Sequence, residues 1–179
     1  MVRTILIAAA VVVLAFLVVV AVQPSDFRIT RSIKISAPPD VVFAQVNDLH
    51  NMDAWSPWLE PDPAAKKTFE GPRSGEGAAF AWAGNNEVGE GRLTITESRP
   101  YDLVRMRLDF VKPIAGTDTA EFTFRPEGGE TVVTWSMYGK QSFLGKAVCL
   151  FMDMEKMVGG NFEKGLSNMK SIAEGTAKN

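Results

Sequence analysis

Residues Ile5 to Val22 form an unbroken apolar run with no charge, glycine, proline or strongly polar side chain. Eighteen residues at a helical rise of about 1.5 Å give roughly 27 Å, close to the hydrocarbon thickness of a bilayer. Arg3 precedes the run, and Gln23-Pro24-Ser25-Asp26 ends it. Two readings of the segment stand. An uncleaved anchor fits the length. A cleaved signal peptide fits the basic start and the small Ala21, although its apolar core is ordinarily about 7–15 residues. A buried helix of a soluble domain does not fit, because such a helix carries a polar face. The flanking charges are nearly balanced: Arg3 and the amino terminus on one side, Arg28, Arg31 and Lys34 against Asp26 on the other. The short N-terminal tail favours tail inside and folded domain outside.

Beyond residue 24 about 155 residues remain, enough for one domain with its own core. The expected organisation is an anchor over 1–24, a folded domain over 25–175 and a frayed tail over 176–179. Basic and acidic residues are mixed throughout, at 19 Lys/Arg against 21 Asp/Glu, so nothing points to nucleic acid. Cys149 is the sole cysteine and excludes an intrachain disulfide; its apolar surroundings read as a buried small hydrophobe.

Alternation marks the strands. Phe27, Ile29, Ile33 and Ile35 share one face, with Arg31 on that face as a bulge or as a buried cation that needs a partner. Ala37-Pro38-Pro39-Asp40 then opens a helix carrying Val41, Val42, Phe43 and Val46. His50 to Pro63, with Trp55 and Trp58, reads as a loop or broken helix. Strands follow over 64–70, 77–83, 88–98, 101–110, 118–126 and 131–138, separated by turns such as Gly84-Asn85-Asn86 and Gly128-Gly129. From Leu144 to Ala173 the apolar period changes to about 3.6, predicting one long amphipathic helix. Gly159-Gly160 in its middle predicts a kink or a close approach.

The strands alternate apolar and polar, so one sheet face is wet and the other needs cover. The long helix is the only large element left to cover it. The fold expected is therefore α+β: a curved antiparallel sheet of six to seven strands around a long C-terminal helix, preceded by one transmembrane helix.

Three stretches resemble the START-like, or SRPBCC, superfamily in its polyketide cyclase/dehydrase and lipid-transport branch. They are Ile33 to Phe43, a strand running into a helix; Asp48 through Trp55-Ser56-Pro57-Trp58; and Thr131 to Met137, a last strand before the long helix. The likeness spans about Ile29 to Ala173. It implies a helix-grip fold with a hydrophobic cavity between sheet and helix. It does not fix the chemistry, since such folds host carriers, enzymes and binding modules alike.

No catalytic set stands out. His50 is the only histidine and lies in the polar run Asn47 to Asn51. Glu87 and Glu90 flank a turn as solvated strand ends or as a carboxylate pair. Neither a metal-ligand spacing nor a nucleotide-binding glycine pattern is present, so no metal or cofactor is expected. The candidate ligand-binding residues are apolar. Phe80, Trp82, Met106, Leu108, Phe122, Phe124, Trp135 and Met137 project from one sheet face, and Met154, Met157 and Phe162 face them from the helix. Trp55 and Trp58 are placed at the rim, and Arg31 as a group that orients a ligand head. The expected partners are a hydrophobic small molecule or lipid and, through the N-terminal helix, a membrane. A cyclase- or dehydratase-like enzyme and a protein-interaction module are the alternatives.

Overall fold

A computed structural model describes residues 1–177. Helix α1 (Val2–Val22) leads into β1 (Asp26–Ile35). Helices α2 (Pro39–Asn47) and α3 (Leu49–Trp55) and a 3-10 turn (Pro57–Leu59) follow. Six further strands come next: β2 (Lys66–Glu70), β3 (Ala79–Ala83), β4 (Glu90–Arg99), β5 (Leu103–Lys112), β6 (Gly116–Glu127) and β7 (Glu130–Lys140). The chain closes with α4 (Phe143–Cys149) and α5 (Met154–Thr176). Of the expected tail over 176–179, Thr176 ends α5 and Ala177 caps it, and the last two residues lie outside the described residues.

The seven strands form one antiparallel sheet in the order β1-β7-β6-β5-β4-β3-β2. From β2 to β7 each strand pairs with the next, and the long connection runs from β1 through α2, α3 and the 3-10 turn to β2 at the opposite edge, so that β7 ends beside β1. This is the helix-grip arrangement. Its core is the concave sheet face packed on α2, α3 and α5, with Ile35, Ile95, Phe122, Val133, Phe162 and Met169 among the buried residues. Helix α2 begins at Pro39 because the fixed φ of proline suits a first turn that needs no N–H donor.

The C-terminal segment is not the single helix that its periodicity predicts. It breaks at Leu150–Asp153 into α4 and α5. Both parts have their own caps: Ser142 accepts from the Gly145 N–H, and Asp153 accepts from the Lys156 N–H. The break lets α4 turn away from the sheet and lie against α1. Cys149, on α4, is half-buried rather than buried, and the Gln141 side chain donates to its sulfur.

Arg31 sits in an unbroken β1–β7 register opposite Trp135, so no bulge accounts for its place. Its Nε donates to Glu163 and its Nη1 to Glu155, each at 2.7 Å. Those two hydrogen bonds raise its pKa above the ordinary value. The guanidinium fills the space where a side chain on residue 159 would stand, which gives the expected close approach at Gly159. Gly160 faces open space.

Helix α1 has a mean hydropathy of 3.4 over its most apolar window and is almost wholly exposed. It meets the domain only near its C-terminal end. Val20 is buried there, the Phe16 ring lies 6.2 Å from Phe151, and Lys146 Nζ donates to the carbonyls of Ala21 and Gln23.

Candidate functional site

A cavity of about 280 Å³ lies between the concave sheet face and the helical layer, just below the range for ligand pockets, about 300–1,000 Å³. Its floor is built by alternation along the strands: Phe80 and Trp82 from β3, Leu93 from β4, Leu108 and Phe110 from β5, Ala120 from β6, and Trp135 and Met137 from β7. The roof comes from Leu49, Met52 and Asp53 of α3, from Ser56 that caps it, from Trp58 and Leu59 in the 3-10 turn, and from Phe162 of α5. Glu87, Val88, Lys112 and Pro113 complete the lining.

One wall is an aromatic stack. Trp135 lies flat on Phe162, ring centroids 3.9 Å apart at 10°, and Phe122 stacks behind it at 4.9 Å. Trp55 meets Trp135 edge-on at 5.6 Å. Such pairs hold rings in fixed planes beyond what area burial alone provides. The stack explains Gly165: a Cβ there would press on Trp135, Trp55 and Pro57 together. The opposite wall carries Phe80 and Trp82, whose N–H donates to the Val88 carbonyl. Gly91 makes room for the Trp82 ring, which lies where a side chain at 91 would project.

Seven of the fourteen candidates named from sequence line this cavity: Trp58, Phe80, Trp82, Leu108, Trp135, Met137 and Phe162. The others lie elsewhere. Trp55 and Phe122 back the aromatic wall, and the Trp55 N–H donates to the Gln45 carbonyl. Met106 is fully buried in the core. Phe124 packs on Phe43 near Tyr101. Met154 packs against the core margin, and Met157 is exposed. Arg31 is committed to Glu155 and Glu163 on α5, away from the lining. Sequence reading did not single out α3 or the 112–113 loop as lining, because alternation does not encode how helices and loops close over a sheet. Phe110 was also not named, although it follows Leu108 in the same alternation along β5.

The polar groups of the lining sit on its margins. Asp53 accepts from Lys67 Nζ, and Lys112 Nζ donates to Glu90. Glu87 and Ser56 have no side-chain hydrogen bond among the described residues. One buried polar group is orphaned. Trp135 lines the cavity, is only 3 % exposed, and its indole N–H has no acceptor.

Asp118 lies on β6 between Leu108 of β5 and Gly139 of β7. Burial pushes its carboxyl up to about 6. Gly139 is what admits it, since a Cβ there would overlap the Asp118 carboxylate.

His50 stands apart from the cavity. Its ring stacks on Phe69 with centroids 4.0 Å apart, and Nδ1 lies 3.0 Å from Asp48. Arg73 Nε donates to the other oxygen of Asp48. Burial pushes the Asp48 carboxyl up, but the hydrogen bonds from the His50 N–H, Arg73 and the His50 ring outweigh it and hold it below the ordinary value. This cluster edges a second, more open hollow of about 290 Å³. Among the described residues, no three His, Cys, Asp or Glu side chains gather as a metal site.

The family model described as polyketide cyclase/dehydrase and lipid transport matches residues 26–174. Among curated proteins, none matches this sequence. Solved structures share the fold at low identity. Protein CV1439 of Chromobacterium violaceum is 15 % identical, with a TM-score of 0.56 over 85 % of this chain and 99 % of that one. Protein Ms6760 of Mycobacterium smegmatis is 16 % identical, with a TM-score of 0.57 over 83 % of this chain and 92 % of that one. The two-domain ARO/CYC protein BexL of the BE-7585A biosynthetic pathway is 16 % identical, with a TM-score of 0.61 over 87 % of this chain and 52 % of that one.

Proposed function

The chain belongs to the polyketide cyclase/dehydrase and lipid transport family, and from that premise we propose that it is a membrane-tethered binding domain for a hydrophobic small molecule or lipid. The observation that carries this reading is the apolar cavity under the helical layer, walled by the Trp135–Phe162 stack and by Phe80 and Trp82. An apolar space of this size in a close-packed protein forgoes van der Waals contacts that a guest would supply. The lining is apolar apart from a few polar groups, Asp53, Ser56, Glu87 and Lys112, so the preferred guest is apolar.

Helix α1 supports the tether. Its 21 residues span about 31 Å, the thickness of a hydrocarbon core. Tethering raises the concentration of the pocket near a membrane-dissolved ligand. In this reading α1 remains uncleaved, residues 25–175 form the ligand-binding domain, and that domain lies on the extracytoplasmic side.

The test is to purify the full chain in detergent, strip it, and offer it a lipid extract. Native mass spectrometry then reads what rebinds. An apolar species bound at one per chain, and lost on filling the cavity, supports the reading. A stripped protein that rebinds nothing refutes it.

A second reading, a cyclase- or dehydratase-like enzyme, has one observation in its favour: Glu87 offers an uncommitted carboxylate at the cavity margin. Turnover of a polyketide-type substrate that is lost in Glu87→Gln, with binding retained, would select this reading over simple carriage. A protein-interaction module calls for a filled interior, so the cavity favours the other two.

A further inference from the structure

The exposed apolar side chains of this domain are gathered at one end of its sheet. Antiparallel register defines that end. Asp26 pairs with Lys140, Asp118 with Gly139, Phe110 with Gly116, and Glu90 with both Lys112 and Ala83. The junction with α1, the 84–89 turn, the 112–116 loop and the passage from β7 into α4 are thus neighbours. Outside α1, ten large apolar residues are exposed among those described, and only Trp58 and Tyr101 lie away from this end or from the α4–α5 segment joined to it. Scattered exposed hydrophobes need no explanation, but a contiguous set marks a partner or a membrane.

The cavity opens in the same direction. Four of its lining residues are exposed, and three of them, Glu87, Lys112 and Pro113, belong to the 84–89 turn and the end of β5.

Chain connectivity fixes how far this end can be from a bilayer that α1 crosses. Only Gln23, Pro24 and Ser25 separate α1 from β1. Three residues reach about 10 Å at full extension, and the headgroup layer is itself roughly 5–8 Å thick on each side. Phe151 goes deeper. It meets Phe16, six residues before the end of α1, which is about 9 Å back along the helix. Lys146 anchors α4 to the last carbonyls of α1. Its long stem and charged head suit an interfacial depth.

We propose that this end of the domain lies in the surface of the bilayer, with Val111, Ile114, Phe143, Leu144, Phe151 and Met152 embedded at the interface, so that the cavity exchanges its guest directly with lipid. The occupant of the patch is the membrane that α1 spans, because α1 and the patch are continuous through Phe16 and Phe151. Segment 143–152 then acts as an in-plane foot of the kind that buries its apolar face about 5–10 Å deep. The inference rests on the reading of α1 as an uncleaved anchor and of the cavity as a ligand site.

The full chain in phosphatidylcholine vesicles tests it. In a Cys149→Ser background, single cysteines Val12→Cys, Phe151→Cys, Ile114→Cys and Asp102→Cys carry an environment-sensitive fluorophore. Lipids bearing a quencher at shallow or mid-chain depth are then added. The expected result is mid-chain quenching at position 12, shallow quenching at 151 and 114, and none at 102. Quenching at 12 with 151 and 114 no different from 102 overturns the foot while leaving the anchor intact. Quenching at 151 but not at 114 overturns direct exchange, because the mouth then faces water. A label at 151 that is shielded from water yet untouched by quencher lipid means that a second copy or the domain itself covers the patch, and this too overturns the proposal. No quenching at 12 removes the anchor and the inference with it. Rebinding in the lipid-extract experiment is scored independently of all four labels.

Discussion

Ala120 offers the sharpest test of whether the interior is empty or filled. It lies on β6 between Met106 and Met137, is buried, and lines the cavity. Ala120→Leu adds three carbons to that space. At about 0.8 kcal/mol per buried methylene the transfer gain is about 2.4 kcal/mol, and fixing a leucine side chain costs about 0.5–1 kcal/mol. The net expectation is stabilisation of the ligand-free protein by about 1.5 kcal/mol. For a domain of this size each kcal/mol moves Tm by roughly 2–4 °C, so Tm should rise about 3–6 °C. The readout is thermal unfolding of the stripped chain, followed by near-ultraviolet circular dichroism of the tryptophans around the cavity. The same variant should lose the guest in the rebinding experiment, because the added side chain occupies its room. In a full core the sign reverses, since overpacking costs about 1–3 kcal/mol. A fall in Tm for Ala120→Leu would therefore refute the empty-cavity premise, and binding would need another site.

Three further outcomes follow from single positions. Gly160→Ala should stabilise the protein by up to about 1 kcal/mol, through helix propensity and an open surface. Gly159→Ala should instead destabilise it, because the new methyl displaces the Arg31 guanidinium from Glu155 and Glu163; urea unfolding of the two variants side by side would show opposite shifts. The Asp118 carboxyl titrates near 6 when folded against 3.8 ordinarily, so its neutral form favours the folded state. That stabilisation is complete below the ordinary value and is lost as pH rises through about 6. Asp118→Asn should flatten stability across this window and raise the urea midpoint at neutral pH; identical pH profiles for the two proteins would contradict this. Trp135→Phe should weaken an apolar guest, because it removes part of the ring that walls the cavity and stacks on Phe162; unchanged affinity by isothermal titration would contradict this.

Much of the fold was legible in the chain before any coordinates. A strand period of two, hairpin turns such as Gly128-Gly129 and a final 3.6-residue period impose an antiparallel sheet covered by a C-terminal helix. The break between α4 and α5 was harder to read. Apolar periodicity continues through it, while the caps Ser142 and Asp153 that start the two helices are short-range signals inside a long-range pattern. Arg31 shows the same limit. Its place on the apolar face of β1 was readable, and so was its need for a partner. That the partners are Glu155 and Glu163, more than a hundred residues away, follows only from the packing of α5 on β1.

The site divides along the same line. Alternation alone determined which sheet face carries Phe80, Trp82, Leu108, Trp135 and Met137, because side chains on a strand must point to opposite sides in turn. It did not decide which inward residues meet empty space and which meet one another. Met106, Phe122 and Phe124 share the inward side with cavity-lining neighbours, yet they are packed solid. That choice belongs to the helical layer: Trp55 of α3 packs on Phe122 and Phe43 of α2 on Phe124, whereas the space beside Ala120 and Leu108 stays open. The apolar N-terminal run likewise fixed its own length and hydrophobicity. Only the tertiary structure set it beside α4 and the open end of the cavity, because contacts between distant segments are products of packing and not of local pattern.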